Sequence, residues 1–480
     1  MSVERQVSGG QGGPAVRRRS RWLALMVLAG SQLLIVLDAT IVNVALADIS
    51  ADLRFTPASL QWVITAYTLA FGGFLLLGGR LADRLGRRRV FVAGVGVFTA
   101  ASLLGGFAAS QGLLIAARAA QGFGAAVMAP AALSLLLVVF PAGRDRTIAL
   151  GVWAGVTAGG TAIGLILGGL LTQGLSWPWV FWINVPIGLA ATVPARRLLP
   201  AAPGRATARL DIAGLVTGTG GLVALVLGLV RTVDFGWDSG HTLVPLALAA
   251  VLLTAFGVLQ KTRPAPLIPL RVLRNRTVLG ADLVGLIFGT SIYALFYFLS
   301  LFMAGTLGYG PIRIGLAFLP LTIAIAIAAR FAGVLIARTG PRPMPIAGSL
   351  LIAIGLALLI RIAPGSSYLG TVFPPLVLAG VGMGLAFVAL TSASVAGVAP
   401  SDSGIAAALF NAGQQIGGTL GLAVLTAAST ARAKAITGDE ASSAGWAFGF
   451  GVAAAIMLVG AYLSITMVKP EHVVAGDENK

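Results

Sequence analysis

Apolar runs of eighteen or more residues recur along the chain from Trp22 to Val468, separated by short segments that hold most of the arginines. Each run is long enough to cross a hydrocarbon core of about 30 Å as a helix. The pattern predicts fourteen spans, at about 22–46, 60–79, 90–109, 113–139, 147–172, 179–199, 211–231, 242–260, 277–303, 312–334, 344–362, 371–395, 404–428 and 446–468. The expected fold is therefore an all-α membrane protein with fourteen transmembrane helices. Residues 1–21 and 469–480 form tails. Residues 22–200 and 277–468 form two six-helix bundles, and residues 201–276 hold an inserted two-helix hairpin with its linkers.

An internal repeat supports that division. Gly79-Arg-Leu-Ala-Asp-Arg-Leu-Gly-Arg-Arg88 closes the second span, and Gly333-Val-Leu-Ile-Ala-Arg-Thr-Gly-Pro-Arg342 closes the tenth. Gly79, Leu81, Arg84, Gly86 and Arg88 align with Gly333, Leu335, Arg338, Gly340 and Arg342. Two pseudo-symmetric halves, related by an axis along the membrane normal and each with its own helix–loop–helix motif, describe a rocking transporter.

Composition agrees with the pattern. Hydrophobic residues make up 57% of the 480 residues and charged residues only 10%, against about 25% charged in an ordinary soluble domain. One water-soluble core cannot bury so much Leu, Val, Ala and Phe. A net charge of +17 on a soluble chain would suggest nucleic acid. Here the positive-inside rule accounts for it. With the N-terminus in the cytoplasm, Arg80, Arg84, Arg87 to Arg89, Arg144, Arg146, Arg196, Arg197, Arg205, Arg209, Lys261, Arg263, Arg271, Arg274, Arg276, Arg338 and Arg342 lie inside. Arg54, Arg231, Arg313, Arg361, Arg432 and Lys434 lie outside. The expected location is a bacterial inner membrane, crossed many times, with both termini cytoplasmic. Arg17 to Arg19 and Arg21 before an apolar run, with Ala45-Leu46-Ala47 after it, imitate a secretory signal. The run is too long and contains Asp38, so an uncleaved first helix is expected.

Several chemistries are excluded. The chain has no cysteine and two histidines, His241 and His472, neither of them within a span. Thiol catalysis and thiolate metal sites are therefore ruled out, and no metal site or enzyme constellation is expected. No GxxxxGK[ST] phosphate loop occurs, so energy for active transport has to come from an ion gradient or a partner. No cofactor is expected, and the protonmotive force is the expected energy source.

Leu37-Asp-Ala-Thr-Ile-Val-Asn-Val-Ala-Leu46, Gln61-Trp-Val-Ile-Thr-Ala-Tyr67, Phe181-Trp-Ile-Asn-Val-Pro-Ile-Gly188 and Leu307-Gly-Tyr-Gly-Pro-Ile-Arg-Ile-Gly315, with the Gly79 to Arg89 loop, resemble stretches of the major facilitator superfamily. More narrowly, they resemble its fourteen-helix drug/proton antiporters of the EmrB/QacA type. Three departures stand out. Leu165 replaces the usual proline of the fifth-helix antiporter motif, Pro178 interrupts a Trp-Arg-Trp pattern, and Asp282 stands where Asn is expected.

Ionisable groups inside spans cost roughly 2.5–3.5 kcal/mol each to insert. Asp38, Arg118 and Asp282 are the three that lie well inside, and they are the proton-coupling candidates. Desolvation favours the neutral form of an acid at mid-span, so Asp38 can load and release a proton, pair with a cationic substrate, or be locked to a helix neighbour. Arg118 keeps its charge. It either tunes a nearby acid in one conformation or holds the half together, and the resemblance implies proton coupling. Asp282 lies about 9 Å deep by helical rise. It can attract cations, serve as a second proton site, or pair with Arg276 or Arg330.

In the loop motif, Gly79, Asp83, Arg84, Gly86, Arg87 and Arg88 are the expected conformational latch, with a solvated charge run as the alternative for the arginines. Gly160, Gly164, Gly168 and Gly169 place small residues along the fifth helix, for sliding between halves or for tight packing. Asn43, Gln121, Tyr293, Tyr297, Asn411 and Gln415 are candidates for the substrate cavity. The resulting expectation is a proton-coupled exporter of multiple drugs or antibiotics working by rocker-switch alternating access. Its partners would be protons, the lipid bilayer and a small amphipathic or apolar drug-like substrate, with a cationic one able to compete directly at Asp38 or Asp282. No nucleic-acid partner is expected. The rival readings are a facilitator or symporter on the same fold and a non-transporting membrane sensor or subunit.

Overall fold

A computed structural model describes residues 18–141, 143–201, 211–263, 266–268, 270–340, 342–398, 403–437 and 440–468. The two predicted tails beyond these residues, with Arg17, Lys469, His472 and Lys480, and the linker residues Arg205 and Arg209 lie outside the described residues. Every regular element among the described residues is helical. The main helices are α1 (Arg18–Leu53), α2 (Trp62–Leu85), α3 (Arg87–Gly106), α4 (Gln111–Val139), α5 (Arg144–Gly174), α6 (Asn184–Leu198) and α7 (Ile212–Phe235). They continue with α8 (Gly240–Thr262), α9 (Arg276–Gly305), α10 (Leu319–Thr339), α11 (Pro343–Leu358), α12 (Phe373–Ala393), α13 (Ser403–Lys434) and α14 (Ala441–Met467).

Twelve helices among the described residues are long and apolar enough to cross a membrane, two fewer than the fourteen spans expected. The expected span at 179–199 is divided. Trp179–Trp182 forms one short turn, and α6 resumes at Asn184 for only 15 residues. The expected span at 404–428 lies within the 32-residue α13, whose Asn411, Gln414 and Gln415 dilute its apolar character. Both segments still pack along full helices. The Trp182 ring lies against Gly106 and Phe107 at one end of α3. At the other end, Arg88 Nη1 donates to the carbonyls of Arg196 and Leu199 at 3.1 and 3.3 Å.

Local chemistry sets the helix ends. Gly86 (φ 96°) terminates α2 and Gly340 (φ 80°) terminates α10. The two aligned glycines of the repeat thus occupy the same backbone region, which side chains with a Cβ rarely enter. Ser110, Asp211 and Asn275 cap α4, α7 and α9 by accepting backbone N–H bonds.

Small residues bring the helices together. A Cβ on Gly122 of α4 would overlap the Tyr67 carbonyl of α2. Along α5, Gly160 meets Leu33 and Val36 of α1, Gly164 meets Thr40 and the Leu37 carbonyl, and Gly168 meets the Ile41 carbonyl. These three glycines serve packing inside one half. Gly169 instead meets the backbone of Pro311 and Ile312 from the other half.

Among the described residues the halves meet closely from the arginine-poor end as far as Gly72 and Gln415, near the middle of α2 and α13. At the arginine-poor end, Gly315 lies against the Leu165 carbonyl, and the Ile312 N–H donates to Gln173 Oε1 at 3.3 Å. The Thr68 and Thr419 hydroxyls are bonded at 2.6 Å. One apolar cluster there unites Leu46, Ile49 and Phe55 with Phe302, Ile314 and Phe318. At the arginine-rich end the core splits. Leu25, Phe91 and Phe140 belong to one cluster, and Val272, Val278 and Ala406 to another. Gly151, Gly155 and Gly159 of α5 and Gly333 of α10 have open space where a Cβ would stand. The protein is therefore closed at its arginine-poor end and parted at its arginine-rich end.

The inserted pair covers one flank of this seam. Thr219 of α7 donates to the Gly73 carbonyl of α2 at 3.3 Å, and Val226 and Val230 pack with Ala423 of α13.

A sharp test of the closure follows from Gly315. A Cβ there would overlap the Leu165 carbonyl oxygen, and only a backbone shift relieves such an overlap. Gly315→Val should hold the arginine-poor end open. Crosslinking of cysteine pairs placed across that end should then fall at least about tenfold, since the strain of about 1–3 kcal/mol acts on one conformation alone. Undiminished crosslinking would contradict the packing described here.

Candidate functional site

The centre of the N-terminal half holds a closed polar network built by α1, α2, α3, α4 and α6. Asp38 on α1 is fully buried, as are Arg118 and Gln121 on α4 and Asn184 on α6. Arg118 Nη1 donates to Asp38 Oδ2 at 2.5 Å. The other carboxylate oxygen, Oδ1, accepts from Gln121 Nε2 at 2.8 Å and from Asn184 Nδ2 at 3.1 Å. Gln121 Nε2 also reaches Ser102 Oγ on α3 at 2.7 Å.

The remaining donors of Arg118 are aimed away from the carboxylate. Its Nε donates to the Val63 carbonyl of α2 at 2.8 Å, and Nη1 also reaches Gln121 Oε1 at 3.0 Å. Its guanidinium carbon lies 4.4 Å from the Tyr67 ring centre and 5.9 Å from that of Phe181. Two opposite charges deep in an apolar interior need such company. Removing one partner of a buried ion pair costs about 3–5 kcal/mol. The arrangement gives one carboxylate a fixed counter-charge and two neutral donors, so gain of a proton would leave Arg118 without its counter-charge and loosen the pair.

Of the residues picked from the sequence, Asp38, Arg118 and Gln121 converge here. Gln121 is fully enclosed, so it belongs to the ion-pair network and does not line a cavity. Asn43 lies five residues along α1, its amide donating to the Ala39 carbonyl at 2.9 Å and its Oδ1 without a hydrogen-bond partner among the described residues. Other members of the network escape a reading of the sequence. Tyr67 and Asn184 stand in two of the stretches that carry the family resemblance, so a signal is present without a role attached. Val63 stands in the same stretch as Tyr67 but contributes only its backbone carbonyl, and Ser102 stands in none of the stretches.

Tyr293 and Gln415 meet in the other half, with the Tyr293 hydroxyl 3.0 Å from Gln415 Oε1. Tyr297 is buried against Phe298 in the core of that half, which corrects its assignment to a cavity wall. Asn411 is exposed on α13 and bonds its own helix at the Ala407 carbonyl. Asp282 sits apart on α9. It is 9% exposed, and neither carboxylate oxygen has a hydrogen-bond partner among the described residues, so of its three readings the pairing with Arg276 or Arg330 does not occur in this state. In the loop motif Asp83 and Arg84 stand exposed at the parted end, beyond Gly79, while Gly86 makes the turn into Arg87 and Arg88.

A helical membrane protein of two halves, closed at one end and holding a buried ion pair inside one half, has the architecture of a solute transporter. The chain belongs to the major facilitator superfamily, whose profile matches residues 28–422. It is 43% identical over 428 residues to the puromycin resistance protein of Streptomyces alboniger, covering 88% of this chain and 84% of the relative. It is 41% identical over 429 residues to a cephamycin export protein of Amycolatopsis lactamdurans, covering 88% of each. In fold it is similar to a bacterial homologue of the human lysosomal transporter Spinster, solved inward-facing and unoccupied. The TM-score is 0.66 at 17% identity, and the match covers 94% of this chain and 97% of that one.

Proposed function

We propose that this protein exports antibiotics from a bacterial cytoplasm in exchange for protons, by alternating access of two six-helix halves. The observation that carries the proposal is the Asp38–Arg118 pair, buried behind the surface on which the halves meet. Two relatives more than 40% identical are named for antibiotic resistance or export, which favours a drug-like substrate over a metabolite.

The proposed topology has fourteen crossings of the inner membrane, with α6 and α13 added to the twelve more apolar helices. In that topology the arginine-rich end faces the cytoplasm, and both termini lie there. The parted end is then the cytoplasmic one, and the described state is the one that loads drug. Ionised Asp38 is held by Arg118 while drug enters. After the halves rock, a proton arriving from outside neutralises Asp38 and frees Arg118, and drug affinity falls. Linkage requires drug and proton to disfavour each other's binding. Asp282, unpaired and near the parted end, supplies an acceptor for cationic drugs. Asp83, Arg84 and the following arginines would engage when that end closes.

Purified protein in proteoliposomes, given puromycin and an imposed pH gradient, should concentrate the drug against its own gradient. An uncoupler should abolish that movement. Flux indifferent to the pH gradient would mark a facilitator, and binding without flux would mark a sensor.

A further inference from the structure

We propose that Tyr67 is the positioning residue through which contact between the halves sets the hold of Arg118 on Asp38, and that its ring, not its hydroxyl, does this. The inference rests on the proton-coupled reading above. It adds the element that links the ion pair to the closing surface.

The observations converge on one stretch of α2. Val63 offers its carbonyl to Arg118 Nε at 2.8 Å, and the Tyr67 ring stands 4.4 Å from the guanidinium carbon. The Tyr67 carbonyl is pressed against Gly122, one turn beyond Arg118 on α4, with no room for a Cβ between them. The next residue, Thr68, makes the 2.6 Å hydroxyl pair with Thr419 of the opposite half. Another turn along, Gly72 lies against Gln415 and the Ala412 carbonyl. Two adjacent residues of one helix therefore touch the ion pair and the other half. Any shift of this stretch of α2 as α13 parts from it would carry the ring that covers Arg118.

The Tyr67 hydroxyl is buried and has no hydrogen-bond partner among the described residues. A hydroxyl kept for its proton or its donor would be paired, since an unmet buried polar group is costly. The ring face over the guanidinium supplies the attraction instead, and a desolvated cation–π contact of this kind is among the stronger ones. The ionisable groups around Asp38 are few. Arg118 comes from α4 and Tyr67 from α2, with Tyr293 of α9 next beyond. The facing residues of α3 and α6, Ser102 and Asn184, are neutral.

The chain lacks cysteine, so spin labels can be attached at Ala109→Cys and Ala363→Cys, both exposed in loops of the arginine-poor end, one in each half. Their separation is measured by double electron–electron resonance in lipid nanodiscs between pH 5 and pH 9, with no drug present. The parent should open at this end as pH falls. Tyr67→Phe should keep the parental midpoint. Tyr67→Leu should raise the midpoint by about one pH unit, because Arg118 then leaves Asp38 more readily. Thr68→Val with Thr419→Val should favour the open distance at every pH. A response of Tyr67→Leu equal to the parent's overturns the inference alone. A shift in Tyr67→Phe as large as in Tyr67→Leu overturns the role of the ring. No pH response in the parent overturns the proton-coupled reading and this inference with it.

Discussion

Asp38→Asn should abolish export against a gradient and leave drug counterflow largely intact. The amide has nearly the shape of the carboxylate, and its oxygen can still accept from Arg118. What it cannot do is gain and lose a proton. Drug loaded on one side of a proteoliposome should then exchange with drug on the other at a rate within about threefold of the parent. Energised accumulation should fall by two orders of magnitude or more, to the background of empty vesicles, since proton transfer is worth about 10²–10⁴-fold where it is required. Some stability should be lost as well, because Arg118 keeps a buried charge without its counter-charge. Measuring thermal unfolding beside the flux separates the two effects. Full energised export by Asp38→Asn would remove the central assignment.

The second large effect is expected at Arg118. Arg118→Gln leaves a fully buried carboxylate with only the neutral donors Gln121 and Asn184. Breaking a buried pair from one side costs about 3–5 kcal/mol, so this variant should unfold at markedly lower temperature in detergent. Taking both charges away costs much less, because no bare charge remains. The double variant Asp38→Asn with Arg118→Gln should therefore regain most of the lost stability, with a coupling energy of up to about 3 kcal/mol. Transport should not return with it. Such a split between recovered folding and absent uphill export would separate the structural duty of the pair from its coupling duty. Additive losses of stability in the double variant would mean that the two groups do not hold each other in the folded protein.

Much of the site is legible in the amino-acid sequence. A charged residue in an apolar span is costly enough to stand out, and this singles out Asp38, Arg118 and Asp282. Their fates differ for reasons the chain order does not contain. Asp38 and Arg118 are 80 residues apart, and only the packing of α1 against α4 makes them partners. Asp282 has arginines near it in sequence, yet helix direction and depth leave it without a hydrogen-bond partner among the described residues. Asn184 and Tyr67 are ordinary polar residues of apolar helices, and nothing in their spacing marks them. Gln121 suits a cavity wall and a core equally well by residue type, and its partners on two other helices, Asp38 and Ser102, decide for the core. For Tyr297, too, the face it presents depends on which helices pack around α9.

The arrangement of apolar runs by itself determined that the chain is helical and membrane-embedded. The hydrocarbon core demands satisfied backbone hydrogen bonds within each crossing, and hydropathy records that demand locally. The repeat that begins at Gly79 and Gly333 pointed to two related halves, and its second glycines, Gly86 and Gly340, share a positive φ, a demand that leaves its mark on a short stretch. Tertiary structure alone decided which end of the molecule is closed, what the α5 glycines touch, and how α2 joins the ion pair to the opposite half. Those features depend on contacts between helices distant in sequence, and hydropathy carries no information about which helix is the neighbour. The number of crossings fell between the two. Composition supported fourteen, but the turn at Ile183 and the polar face of α13 give two of those segments a weaker claim to be spans. A helix packed against other helices can be shorter and more polar than one that meets lipid on its own.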